Sequence, residues 1–257
     1  MTMTNLLLTL SLVLTSSYAA DALSDVKNQA ASLDATMVSQ LEAVSPRATR
    51  AGWLRYNDPL LLEPEAAVWA LFELQQVDVA SEERRALADA LVRNLRNAPQ
   101  LALEAAWMQQ IAQEQDPIVR QVLIEGLRHA TSSSALTALK TLLQHPDATS
   151  RAAAASTIGW RSDGAALSAS LRAALRDQDA SVRHLAARSL GYLGDVHAFE
   201  DLETLLEDPD PTTRAAALQA LRRVDVNRAA NLDLRGLRSD PDPQVRAAVT
   251  ALENAKP

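Results

Sequence analysis

The chain has 257 residues, a net charge of −7 and no cysteine, and aromatic residues and glycines are scarce. Ala, Leu, Arg, Glu and Gln, the strong helix formers, dominate; no β-branched run alternates at period two, which excludes a substantial sheet. The acidic balance argues against a phosphate-backbone binder, and the lack of thiols excludes disulfides, thiolate chemistry and a lipid anchor at a lipobox.

The first residues, "NLLLTLSLVLTSSYAADA", carry an apolar stretch from Leu6 to Leu14 followed by small residues. That stretch is too short to cross a bilayer as a permanent helix, and Ser17 and Ala19 occupy the −3 and −1 positions of a signal-peptidase site. Residues 1–19 are therefore expected to be a signal peptide cut after Ala19, although no Lys or Arg precedes Leu6. The expected product is periplasmic or secreted from a bacterial cell, with no stable membrane insertion. An amphipathic helix is expected over about 22–44. The segment "SPRATRAGWLRYNDP" (45–59) breaks the pattern with Pro46, Gly52, Trp53, Tyr56 and Pro59, and reads as the entry into the helices that follow. Helical stretches at 64–76, 82–96 and 101–114 complete an N-terminal helical region, 20–114, with degenerate repeats.

From residue 115 to 257 the chain repeats itself. Arg120, Arg151, Arg183, Arg214 and Arg246 are separated by 31, 32, 31 and 32 residues, and Asp116, Asp147, Asp179, Asp210 and Asp242 each lie four residues earlier. Twelve residues before the last four arginines stand Leu139, Leu171, Leu202 and Leu234. Each unit holds two amphipathic stretches, such as "SVRHLAARSLGYLGD" and "HAFEDLETLLE", with Asp, Gly and Pro at the joints. Met108 and Ile111 stand twelve and nine residues before Arg120, but further upstream the Asp–Arg head is not recognisable, so the phase of those helices stays open.

An Asp at a helix start accepts hydrogen bonds from unpaired backbone N–H groups and faces the positive end of the helix dipole. The Arg one turn later is expected to reach the Asp of its own or the adjacent repeat, giving a ladder that sets the register of a scaffold. With heads reading "DPDPxVRxxAxxAL", the unit resembles the HEAT repeat, in the short variety also found in phycobilin lyases. That resemblance implies an all-α fold, a right-handed, armadillo-like α-solenoid of HEAT-like helical hairpins. It also implies a non-catalytic adaptor whose partner is another protein, with no cofactor and no nucleic acid. Small-molecule binding or lyase-like activity on the same scaffold is the alternative.

None of His129, His145, His184 and His197 has metal-ligand spacing; His197 and Glu200 supply at most half a site. Second helices usually line the inner face of such a solenoid. If the Leu column points inward, positions one and five later point away: Lys140, Arg172, Glu203 and Arg235, then Gln144, Arg176, Glu207 and Ser239. With Glu200, these give a candidate partner-binding strip of Lys140, Arg172, Arg176, Glu200, Glu203, Glu207 and Arg235, basic on one side and acidic on the other. Trp160 and Tyr192, nine residues after a ladder Arg, either anchor a partner at the hairpin turn or fill the gaps left by Gly159 and Gly191, and packing is the expectation. The small apolar stripe of the last helix, Ala247, Ala248, Val249 and Leu252, favours a monomer in the absence of a partner.

Overall fold

The computed structural model describes residues 22–33, 35, 38, 40, 41, 64–76, 81–97 and 101–255. The expected signal peptide and the segment 45–59 lie outside them. The described residues form helices and turns with no strand. The chain divides into two compact units, residues 1–141 and 142–257.

In the first unit, α1 (Ala22–Ala31) packs on α2 (Pro64–Leu74) and on α4 (Leu101–Gln113). Helix α3 (Ser81–Asn97) pairs with α2 and lies along α5 (Pro117–Gly126), the helix that carries Arg120. This contact settles the phase that the sequence left open. Helix α3 is the first helix of a hairpin, and α4 is its second. Trp107 of α4 is fully buried against Gly126, where a Cβ would lie 2.3 Å from the indole. A 3-10 turn, Leu127–His129, leads to α6 (Ser133–Leu142). Ahead of α6 the buried carboxylate of Glu104 accepts from the backbone N–H groups of Thr131 and Ser132 at 2.6 and 2.9 Å. Burial pushes this carboxyl upward, but the Ser132 and Thr131 bonds outweigh it and hold it below its usual range.

In the second unit the first helices are α7 (Ala148–Gly159), α9 (Ala180–Leu193), α11 (Pro211–Val224) and α13 (Pro243–Glu253). They pack side by side in sequence order. The second helices, α8 (Ser168–Ala174), α10 (Phe199–Thr204) and α12 (Val226–Ala229), are short; 3-10 turns flank the first two and another lies at Leu237–Ser239. The Leu column is core as the spacing requires: Leu139, Leu171 and Leu202 are wholly buried and Leu234 nearly so. Leu234, however, sits in irregular chain after α12, because "NLDLRG" supplies no helical run long enough to continue it. Gly194 ends α9 with φ +64, a left-handed turn that favours glycine.

The close approach of the first helices explains two other glycines. A Cβ on Gly159 would lie 2.7 Å from the Cβ of Ser189, and one on Gly191 would lie 2.8 Å from the Cα of Ala220. These gaps are filled by the neighbouring helix and not by aromatics. The expectation that Trp160 and Tyr192 pack there is corrected: their side chains stand out at 59% and 40% exposure.

Candidate functional site

The five aspartates do cap their helices. Asp116, Asp147, Asp179, Asp210 and Asp242 each accept from one or two N–H groups in the first turn of α5, α7, α9, α11 and α13. Pro117, Pro211 and Pro243 open three of these helices, at positions where the missing N–H costs little. Hydrogen bonds from Ser181 hold the Asp179 carboxyl below its usual range.

The arginines do not grip these capping groups. Arg151 donates through Nε and Nη2 to both oxygens of Asp177, at 2.8 and 2.9 Å. Arg183 does the same to Asp208 at 2.7 and 2.8 Å, and Arg214 to Asp240 at 2.9 and 2.8 Å. Each acceptor lies two residues before the next repeat's capping Asp, and its Oδ1 also accepts the N–H of that cap, as Asp208 does from Asp210 at 2.9 Å. The remaining Nη1 of each arginine points back: Arg183 donates to the carbonyl of Asp177, Arg214 to that of Asp208 and Arg246 to that of Asp240. The expected ladder therefore exists with a different acid. Every shared Asp receives a fork from the preceding repeat through its side chain and binds its own repeat's arginine through its carbonyl. These bidentate, charge-assisted bonds are largely buried, the side chains of Arg183 and Asp208 being 13% and 4% exposed.

The first unit repeats this arrangement in altered residues. Arg84 of α3 donates to Glu114 at 2.5 Å and to the carbonyl of Gln76, and Arg120 donates to the carbonyl of Glu114. Glu114 Oε1 accepts the N–H of Asp116 at 3.1 Å. Arg84 and Glu114 are thus a rung of the ladder that sequence reading missed. The signal was an Arg near the start of a helix and an acid two residues before a capping Asp, spaced more widely than the regular period.

The strip expected from the second helices is exposed, but its charges are interleaved. Arg172, half-buried in α8, donates to the carbonyl of His197 at 3.2 Å and has its Nε 3.8 Å from Asp195. Arg176 meets Asp201 at 2.5 Å, and Glu200 meets Arg228 at 2.7 Å. Arg228 also lies over the Phe199 ring, 3.9 Å from its centroid. The Arg228 hydrogen bond holds the Glu200 carboxyl below its usual range. Arg235 pairs with Asp233 in a turn, and its hydrogen bond lowers that carboxyl to about 2. Segregation into basic and acidic sides is therefore corrected, because arginines and acids of adjacent repeats pair in both directions, Arg176 with Asp201 and Arg228 with Glu200. Glu203 and Glu207 are exposed and form no ion pair among the described residues, as is Lys140 on α6 of the first unit. Glu200 is committed to Arg228, and no cluster with a metal-ligand set occurs among the described residues.

One cleft of about 580 Å³ opens in the first unit, lined by Leu74, Gln76, Arg84, Gln110 and Glu114 among others. Of its three charged groups, Arg84 and Glu114 are spent on each other, and Asp116 accepts from Ser81 and from the N–H groups of Ile118 and Val119.

A family model described as HEAT repeats matches residues 104–171 and 168–253. No curated protein matches the chain.

Proposed function

Because this chain belongs to the HEAT-repeat family, whose members generally act as protein-interaction scaffolds, we propose that it is a non-catalytic adaptor of the bacterial cell envelope. In this reading residues 1–19 direct export and are removed after Ala19. The mature chain then binds an extended segment or loop of another protein along the second helices of its second unit, through Arg172, Arg176, Glu200, Glu203, Glu207 and Arg235, with Lys140 as a contact of the first unit taken by itself. The observation that carries the reading is the state of that strip. Arg172, Arg176 and Glu200 are positioned by inter-repeat contacts, while Glu203 and Glu207 stand exposed one turn apart with no ion-pair partner among the described residues. Rigidly held charges beside unpaired ones favour a partner of complementary pattern, mainly through specificity and association rate.

The test is capture from intact cells. The tagged full-length gene is expressed, cells are crosslinked, and the envelope fraction is examined by mass spectrometry. The expected result is a chain beginning at Ala20 and one stoichiometric protein, lost when Glu203 and Glu207 become Lys and when Arg172 and Arg176 become Glu. Equal recovery with both folded variants would remove the strip from consideration, and a cytoplasmic chain retaining residues 1–19 would remove the envelope.

A further inference from the structure

The positions nine residues past the ladder arginines of α7, α9 and α11 are Trp160, Tyr192 and Arg223. They form one continuous row. The rings of Trp160 and Tyr192 lie 4.9 Å apart, centroid to centroid, tilted by 42°. The Arg223 guanidinium covers Tyr192 at 4.8 Å. The positions five past the same arginines are Ser156, Arg188 and Gln219. A spacing of four places each of these on the face its own helix shares with a member of the row. Arg188 Nη2 donates to Ser156 Oγ at 3.2 Å, which fixes that side chain across α7 and α9.

Two features set this surface apart from the rest of the second unit. Trp160 is the most exposed large apolar side chain among the described residues and has nothing but Tyr192 stacked on it. Arg188, Arg222 and Arg223 form no ion pair among the described residues, whereas Arg151, Arg183 and Arg214 each grip a carboxylate. Two uncompensated cations, Arg188 and Arg223, beside two exposed rings are unexpected on a chain of net charge −7. They do not serve the ladder, and they lie on the first helices, away from the second-helix strip.

We propose that the Trp160–Tyr192–Arg223 row, with Arg188, docks an acidic, extended segment of a partner protein. A proline or apolar side chain of that segment lies on the open face of Trp160, and its carboxylates reach Arg188 and Arg223. The guanidinium groups are held in advance, one by a ring and one by a hydroxyl, so little side-chain freedom is lost on binding. The rings supply rigid area of the kind that anchors interfaces. A short acidic segment fits better than a nucleic acid, because the further phosphates of a long polyanion would meet the acidic remainder of the chain.

The probe is a displayed library of random peptides of about 12 residues, selected on the full chain at low salt, where such charge pairing is strongest. The expected outcome is enrichment of Asp and Glu around a Pro or aromatic residue. Synthesised winners should lose at least about tenfold in affinity on Trp160→Ala and on Arg188→Glu/Arg223→Glu, and keep it on Arg172→Glu/Arg176→Glu. If Arg188→Glu unfolds, Arg188→Gln/Arg223→Gln makes the same comparison. Absence of acidic enrichment, winners indifferent to both row variants, or tighter binding of a single-stranded oligodeoxynucleotide than of any peptide would each overturn the proposal. Loss of the winners on the Arg172 variant alone would also overturn it, by returning their binding to the second-helix strip.

Discussion

Arg183 grips Asp208, twenty-five residues ahead of it, and leaves Asp179, four residues behind it, to cap the helix. The two acids of a repeat head thus have separate duties, and a double-mutant cycle separates them. Removing Arg183 and Asp208 together should show a coupling energy of about 0.5–3 kcal/mol, the range for groups sharing one hydrogen-bond or salt-bridge network, and toward its upper end for a buried fork. The cycle with Asp179 should give well under about 1 kcal/mol, since losing a cap is largely independent of the fork. Urea unfolding of the four proteins in each cycle measures both; equal coupling would contradict the division of labour.

Acid should attack the last rung of the ladder through the Asp240 carboxylate. Arg214 holds the Asp240 carboxyl below its ordinary 3.8. A depressed folded pKa means that the stabilisation is fully present above the ordinary value and is lost as pH falls through the folded one. Asp240→Asn should therefore lower the urea midpoint at pH 6 and lose less than the parent does between pH 5 and pH 2.5. A parent whose midpoint is flat over that range would show that the carboxylate contributes nothing.

Small residues hold the first helices together, so adding one methyl group should be costly. Gly191→Ala places a Cβ 2.8 Å from the Ala220 backbone, and overpacking of this kind costs about 1–3 kcal/mol, more than the helix propensity gained. Gly236→Ala meets nothing within 4 Å at φ −64 and should be neutral or stabilising by about 0.4–1 kcal/mol. Thermal melts of the two variants should move in opposite directions, or the second not at all.

The tryptophans should divide in the same way. Trp107, wholly buried, should cost about 3–5 kcal/mol on truncation to Ala. Trp160 should cost about 0.5–1.5 kcal/mol, the worth of its ring pair with Tyr192. A large loss for Trp160→Ala would mean that the ring serves the fold.

Much of this was legible in the sequence. The column Leu139, Leu171, Leu202 and Leu234 marked the core, and the repeated Asp–Arg step marked helix starts, because both depend on local spacing. The ladder acid was hidden for a physical reason. Its partner arginine is one repeat away, so nothing within a turn of the helix announces the pair, and the column reads Glu114, His145, Asp177, Asp208 and Asp240. Arg176–Asp201 was hidden in the same way, which is why the strip looked segregated by charge. Trp160 was misread because a large ring beside a glycine suggests a filled gap; here the gap belongs to Ser189 of the adjacent helix.

The double use of each shared Asp has a consequence for how such a chain can change length. Deleting residues 178–208 would join Asp177 to Pro209 and Asp210, regenerating the same head. Arg151 would still find the Asp177 carboxylate, and Arg214 would find the Asp177 carbonyl where it now uses that of Asp208. Gly159 would meet Ala220, the residue that now accommodates Gly191. One unit can leave and its neighbours still fit each other, so the joints of this protein are interchangeable parts, and recombination can lengthen or shorten it without a second mutation to repair the seam.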